Sequence, residues 1–61
     1  METMIPDNCR RSVRRIAYAM NVTEDAAYAM LIMTALLMDL YPEDEDVVRM
    51  ILTDNGVPEI A

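Results

Sequence analysis

The sequence predicts an all-α protein, a small three-helix bundle completed by homodimerisation, and three observations carry that prediction. Apolar residues recur at helical spacing through three segments. The segments are separated by short polar corners, and the single glycine and three prolines lie at corners or ends of the 61-residue chain. The middle segment is apolar nearly all round, the pattern of a helix buried on every side.

The first helix is expected over about 7–20. Pro6 stands at its entrance, where a fixed φ and a missing N–H do no harm, and Asp7 is placed to cap the free amides. At roughly 100° per residue, Cys9, Val13, Ile16, Ala17 and Met20 share one narrow stripe. Arg10, Arg11, Arg14 and Arg15 spread over the other side, with Tyr18 among them. Asn21-Val22-Thr23 makes the first corner. Asparagine tolerates the left-handed conformation that closes many helices, and Thr23 is a good N-cap. Glu24 and Asp25 then suit the positive end of the next helix.

The second helix, about 24–40, reads EDAAYAMLIMTALLMDL. Met30, Met33, Leu36, Leu37 and Leu40 form its main apolar face, expected to pack on the other helices. Leu31 and Met38 form a second face on a different side. A thin strip of Glu24, Tyr28, Ala35 and Asp39, flanked by Ile32, looks suited to water. The third helix is expected over about 43–55, opened by the run Glu43-Asp44-Glu45-Asp46, which complements the helix dipole. Val47, Val48, Ile51 and Leu52 supply its buried side. Gly56 offers a left-handed stop and Pro58 prevents resumption. Glu2-Thr3-Met4-Ile5 reads either as a short strand or as an extended tail.

A chain of 61 residues makes a single domain, 1–61, and so short a chain buries only about 60% of its unfolded surface. Reinforcement from within is missing. One cysteine rules out an internal disulfide, and without histidine no Cys/His zinc site can form. Oligomerisation is the reinforcement left. Helices one and three offer one narrow stripe apiece, enough to cover one side of helix two. Leu31, Met38 and Ile32 are then left over as the expected self-association interface. A two-fold dimer is the simplest closure.

Charge is divided unevenly. The chain carries a net −6, yet residues 1–23 hold four arginines against Glu2 and Asp7, while residues 24–61 hold nine acids against Arg49. An acidic chain is a poor generic polyanion binder, because phosphate neutralisation drives that affinity. Only the face of Arg10, Arg11, Arg14, Arg15 and Tyr18 has the right sign for an anion or an acidic partner; the competing expectation is that these arginines pair with the carboxylates of residues 43–46. The apolar run Ala26–Met38 is short of the roughly 20 residues a bilayer span needs. With no targeting segment evident, the expected location is cytoplasmic.

Few residues could carry chemistry. There is no histidine or lysine, serine occurs once, and no glycine-rich phosphate loop exists. Cys9 sits at a helix start beside arginines, which favours a thiolate, but also on the apolar stripe, which favours an inert buried thiol. Consecutive acids at 43–46 point in different directions on a helix and lack calcium-loop spacing. No catalytic residue, cofactor or metal site is therefore expected. Met30, Met33, Met38 and the other methionines are read as core or dimer-interface filler rather than a groove for a foreign helix.

Three partial resemblances follow from these residues. Ala17, then Asn21-Val22-Thr23 and Ala26-Ala27, resembles the corner of a helix-turn-helix, although Glu24 and Asp25 stand where its second helix would meet DNA. Thr3-Met4-Ile5, a Pro6-led helix and a helix begun at Thr23 resemble a ribbon-helix-helix. That resemblance implies an obligate dimer whose strands enter DNA. Val13-Arg14-Arg15-Ile16 returns as Val48-Arg49-Met50-Ile51, similar to HEAT-type helical repeats, which implies stacking on another copy or partner. The chain is accordingly expected to be a homodimeric protein–protein interaction module. The alternative is a small dimeric nucleic-acid-binding regulator that uses the arginine face.

Overall fold

The computed structural model describes residues 4–57. It contains three α-helices, α1 (Asp7–Met20), α2 (Glu24–Met38) and α3 (Glu45–Asp54), and no strand among those residues. Each helix packs on both others. The radius of gyration is 10.7 Å, close to the roughly 10.5 Å expected of a compact chain this size.

Local chemistry explains where each helix starts. The Thr23 side chain accepts a hydrogen bond from the Ala26 amide at 3.1 Å, and the Asp44 carboxylate accepts one from the Asp46 amide at 2.9 Å. Both satisfy amides that have no partner inside the helix. Asp44 as cap places the start of α3 at Glu45, two residues after the expected Glu43. Asp7 does not cap α1. Pro6 occupies the capping position with no side-chain bond, and Asp7 instead pairs with Arg10 inside the first turn, Nε to Oδ1 at 2.9 Å.

All three helices end alike. Asn21, Asp39 and Gly56 take left-handed φ of 56°, 58° and 76°. Past each, an amide reaches back five residues: Val22 to the Ala17 carbonyl at 3.1 Å, Leu40 to Ala35 at 3.0 Å, and Val57 to Leu52 at 2.8 Å. This is the Schellman closure, which satisfies carbonyls the helix leaves free. Asp39 therefore stops α2 at Met38, short of the expected Leu40. Asparagine and glycine announce such a stop; aspartate does so weakly.

The core is made of Ile5, Cys9, Val13, Ile16, Ala27, Leu31, Ala35, Val47, Val48 and Ile51. It holds no aromatic ring and a single leucine. Partly buried Ala17, Met20, Tyr28, Met30, Met38 and Leu52 close its margins. The repeated segments match in burial as well as in sequence. Val13 and Ile16 are buried as Val48 and Ile51 are, and Arg14 is exposed as Arg49 is. Met4 and Ile5 adopt no regular structure, with Ile5 tucked against the core. Glu2, Thr3 and the expected Pro58 stop lie outside the described residues.

The face that α2 turns inward corrects the sequence reading. Ala27, Leu31 and Ala35 are buried, whereas Met33, Leu36, Leu37 and Leu40, expected to pack inward, are exposed. Leu31 is not left over for a partner; it is completely buried in the core of its own chain. Ile32 and Met38 are half-buried, and Met38 packs against that core. The physical reason lies in the strip expected to face water. Glu24 and Asp39 stand at the two ends of α2, where side chains reach water whatever side they occupy. Between them the same side carries Ala27, Leu31 and Ala35. Two alanines flanking one leucine let the helix backbones approach closely, and the branched residues of α1 and α3 already fill the interior.

Candidate interaction surfaces

Turning small residues inward leaves the large ones outside. At roughly 100° per residue, Leu36, Ala29, Met33, Ala26, Leu37 and Met30 cover about 120° of the outward side of α2 without a polar residue between them, and Leu40 follows at its exit. Met33 is 63%, Leu36 77% and Leu37 86% exposed. Tyr41 beyond the helix end, at 79%, extends the patch. Between α2 and α3 the patch sinks into an open hollow of about 440 Å³, lined chiefly by Met30, Met33, Leu37, Met38, Met50 and Ile51. No side-chain nitrogen or oxygen is buried without a hydrogen-bond partner among the described residues. The outward patch is apolar surface in addition to the buried core.

The arginine face lies on the far side of α1 from the core. Arg10, Arg11, Arg14 and Arg15 are all exposed, and Tyr18 is 92% exposed. The expected pairing with residues 43–46 occurs once: the Arg15 Nη1 donates to both Glu45 carboxylate oxygens, at 3.1 and 3.2 Å. Arg10 is engaged by Asp7. Arg11 and Arg14 make no ion pair among the described residues. With Tyr18 they occupy successive turns of one side of α1, beside a shallow hollow that also includes Asn21, Val22 and Glu24.

The acidic run disperses. Glu43 accepts from the Asn8 side-chain amide at 2.6 Å, Asp44 caps α3, Glu45 meets Arg15, and Asp46 meets Arg49 at 3.4 Å. Among the described residues no cluster of three or more metal-ligating side chains forms. Cys9 is buried, and its thiol is pushed up from its ordinary value, first by burial and then by the neighbouring Glu43 charge. A thiol held protonated is a poor nucleophile.

Sequence reasoning missed Leu36, Leu37 and Tyr41 as surface residues. The signal available was the pair Ala27 and Ala35 flanking Leu31, two small residues that let this side of α2 approach its neighbours closely. No described helix is long and apolar enough to cross a membrane. No family model, curated protein or solved structure matches the chain.

Proposed function

We propose that this chain is a homodimeric helical interaction module without catalytic activity, and that the outward side of α2 is its self-association face. The observation that supports this reading is the row of Met33, Leu36 and Leu37 exposed beside a complete core. Burying such a side chain is worth about 1.5–3 kcal/mol. A two-fold contact buries the same row twice, so six large side chains set their burial against an association cost of about 4–15 kcal/mol. The half-exposed Met50 on α3 widens the contact beyond a single helix. The charged faces, basic on α1 and acidic around the α2–α3 corner, remain at the rim for another protein.

Sedimentation equilibrium across the micromolar range tests the reading. Twice the 7.0 kDa chain mass is expected, and Leu37→Glu should return the protein to a folded monomer. A folded wild-type chain that stays monomeric at every concentration overturns it.

One observation favours a second reading, a small dimeric nucleic-acid-binding regulator: Arg11 and Arg14 make no ion pair among the described residues and stand beside exposed Tyr18. Arginine forks and an aromatic ring suit phosphates and bases. The net charge of −6 works against it. In that case mobility shifts with duplex and single-stranded DNA should be salt-sensitive and lost in the Arg11→Glu/Arg14→Glu variant. A shift that survives the double substitution removes the arginine face from consideration.

A further inference from the structure

The outward side of α2 is graded along its length, and the grading says how a second copy fits. Ala26, Ala29, Met33 and Leu36 recur at alternating steps of three and four along α2, the spacing of a two-helix seam, and Leu40 follows just past its end. All five are exposed. Side-chain volume rises along the row, from alanine near the helix start through methionine in the middle to leucine at the end. We propose that α2 packs antiparallel on α2 of a second copy, with the two-fold axis passing close to Met33; this rests on the self-association reading above. The alanine end of each copy then lies under the leucine end of the other, and the two helices keep a constant separation.

A parallel pair in register would oppose alanine to alanine and leucine to leucine. It would leave a gap at one end and crowd the other, and close packing tolerates neither. Helix dipoles point the same way. Antiparallel pairing sets each positive α2 start beside the negative end of its neighbour, whereas parallel pairing sets like ends together. A second copy is therefore the occupant this face fits: its two ends are complementary to each other, which a foreign helix would not require. Leu37, near the leucine end, also lines the hollow that Met50 of α3 shares, so α3 borders the contact.

Disulfide trapping reads the direction. On a Cys9→Ala background, Ala29→Cys and Leu37→Cys variants are oxidised separately and as a mixture, and the same samples are sedimented. About a two-fold axis at Met33, position 29 of one copy faces position 37 of the other. Two copies of position 29 are separated by roughly 12 Å along the axis at about 1.5 Å per residue, and a disulfide needs Cα atoms about 4.4–6.8 Å apart. The expected result is a 29–37 disulfide as the dominant product of the mixture, with little 29–29 or 37–37 product. Dominant 29–29 and 37–37 products in a sample of dimer mass would overturn the antiparallel arrangement while leaving self-association standing. A dimer mass with no trapped product would place the contact elsewhere and overturn the inference. A monomer mass for the Cys9→Ala chain and for wild type removes both the inference and the reading beneath it.

Discussion

The two sides of α2 differ in the opposite sense from most amphipathic helices. Its inward side is Ala27, Leu31 and Ala35, and its outward side is Met33, Leu36 and Leu37. Its most exposed large side chains face solvent, and the fully buried contact is a single leucine between two alanines, with Tyr28, Met30 and Met38 partly buried at its margins. Hydrophobicity alone did not decide which side went in; size did. α1 and α3 bring β-branched residues, Val13, Ile16, Val47, Val48 and Ile51, into the interior. Branched side chains projecting from two helices leave room for a thin third one. A helix that must fit between two others is best thin where it meets them.

The largest effect should come from exploiting that difference directly. Leu31→Ala opens a cavity in a core with no other leucine to collapse into it, and is expected to cost about 2–5 kcal/mol. Leu37→Ala on the outward side removes the same atoms from solvent-facing surface and should change monomer stability by less than about 0.5 kcal/mol. Urea denaturation of both variants at concentrations too low for association separates the two. Equal losses would mean that the outward side is buried in the isolated chain, and the comparison would collapse.

Much of the fold was legible because it rests on local chemistry. Thr23, Asn21 and Gly56 act at the positions where their side chains or φ values predict, and the stripes of α1 and α3 bury Cys9, Val13, Ile16, Val47, Val48 and Ile51, with Ala17, Met20 and Leu52 only partly buried. The orientation of α2 was not legible by the same means. When a helix is apolar all round, periodicity carries no directional signal, and the polar residues used in its place, Glu24 and Asp39, belong to its ends. The arginine face was legible as a face, yet its internal pairings depended on rotamers. Arg15 reaches Glu45 across the bundle, while Arg14, one residue earlier, points away. Cys9 could be read either way from its position, and burial resolved it.

A smaller loss is expected at the start of α2. Thr23→Ala removes the hydrogen bond to the Ala26 amide, and such caps are worth about 0.5–2 kcal/mol. The fraying would reach Ala27 on the inward side and Ala26 on the outward side together. Amide hydrogen exchange should therefore rise through the first turn of α2 while protection around Leu31 and Leu37 is kept. Protection lost equally along the helix would show that α2 holds its orientation through the cap rather than through Leu31.

The smallest effect has the opposite sign and lies at the other end of the same helix. Asp39 holds φ at 58° with its side chain exposed, a conformation that costs an ordinary residue about 1–2 kcal/mol. It also places a carboxylate beside the negative end of the helix dipole, which is unfavourable. Asp39→Gly relieves both, against the larger conformational freedom that glycine loses on folding, about 0.5–1 kcal/mol. A net gain of about 0.5–1 kcal/mol should remain, raising Tm by a few degrees. Asn21→Gly at the equivalent closure of α1 should gain less, because asparagine visits this region readily and carries no charge. Both substitutions leave the inward and outward sides of α2 untouched, so the stability curve should shift while the association constant stays where it was. A gain at position 39 accompanied by weaker self-association would indicate that the corner after α2, with Leu40 and Tyr41, belongs to the contact, and would move the boundary between the two sides past the end of the helix.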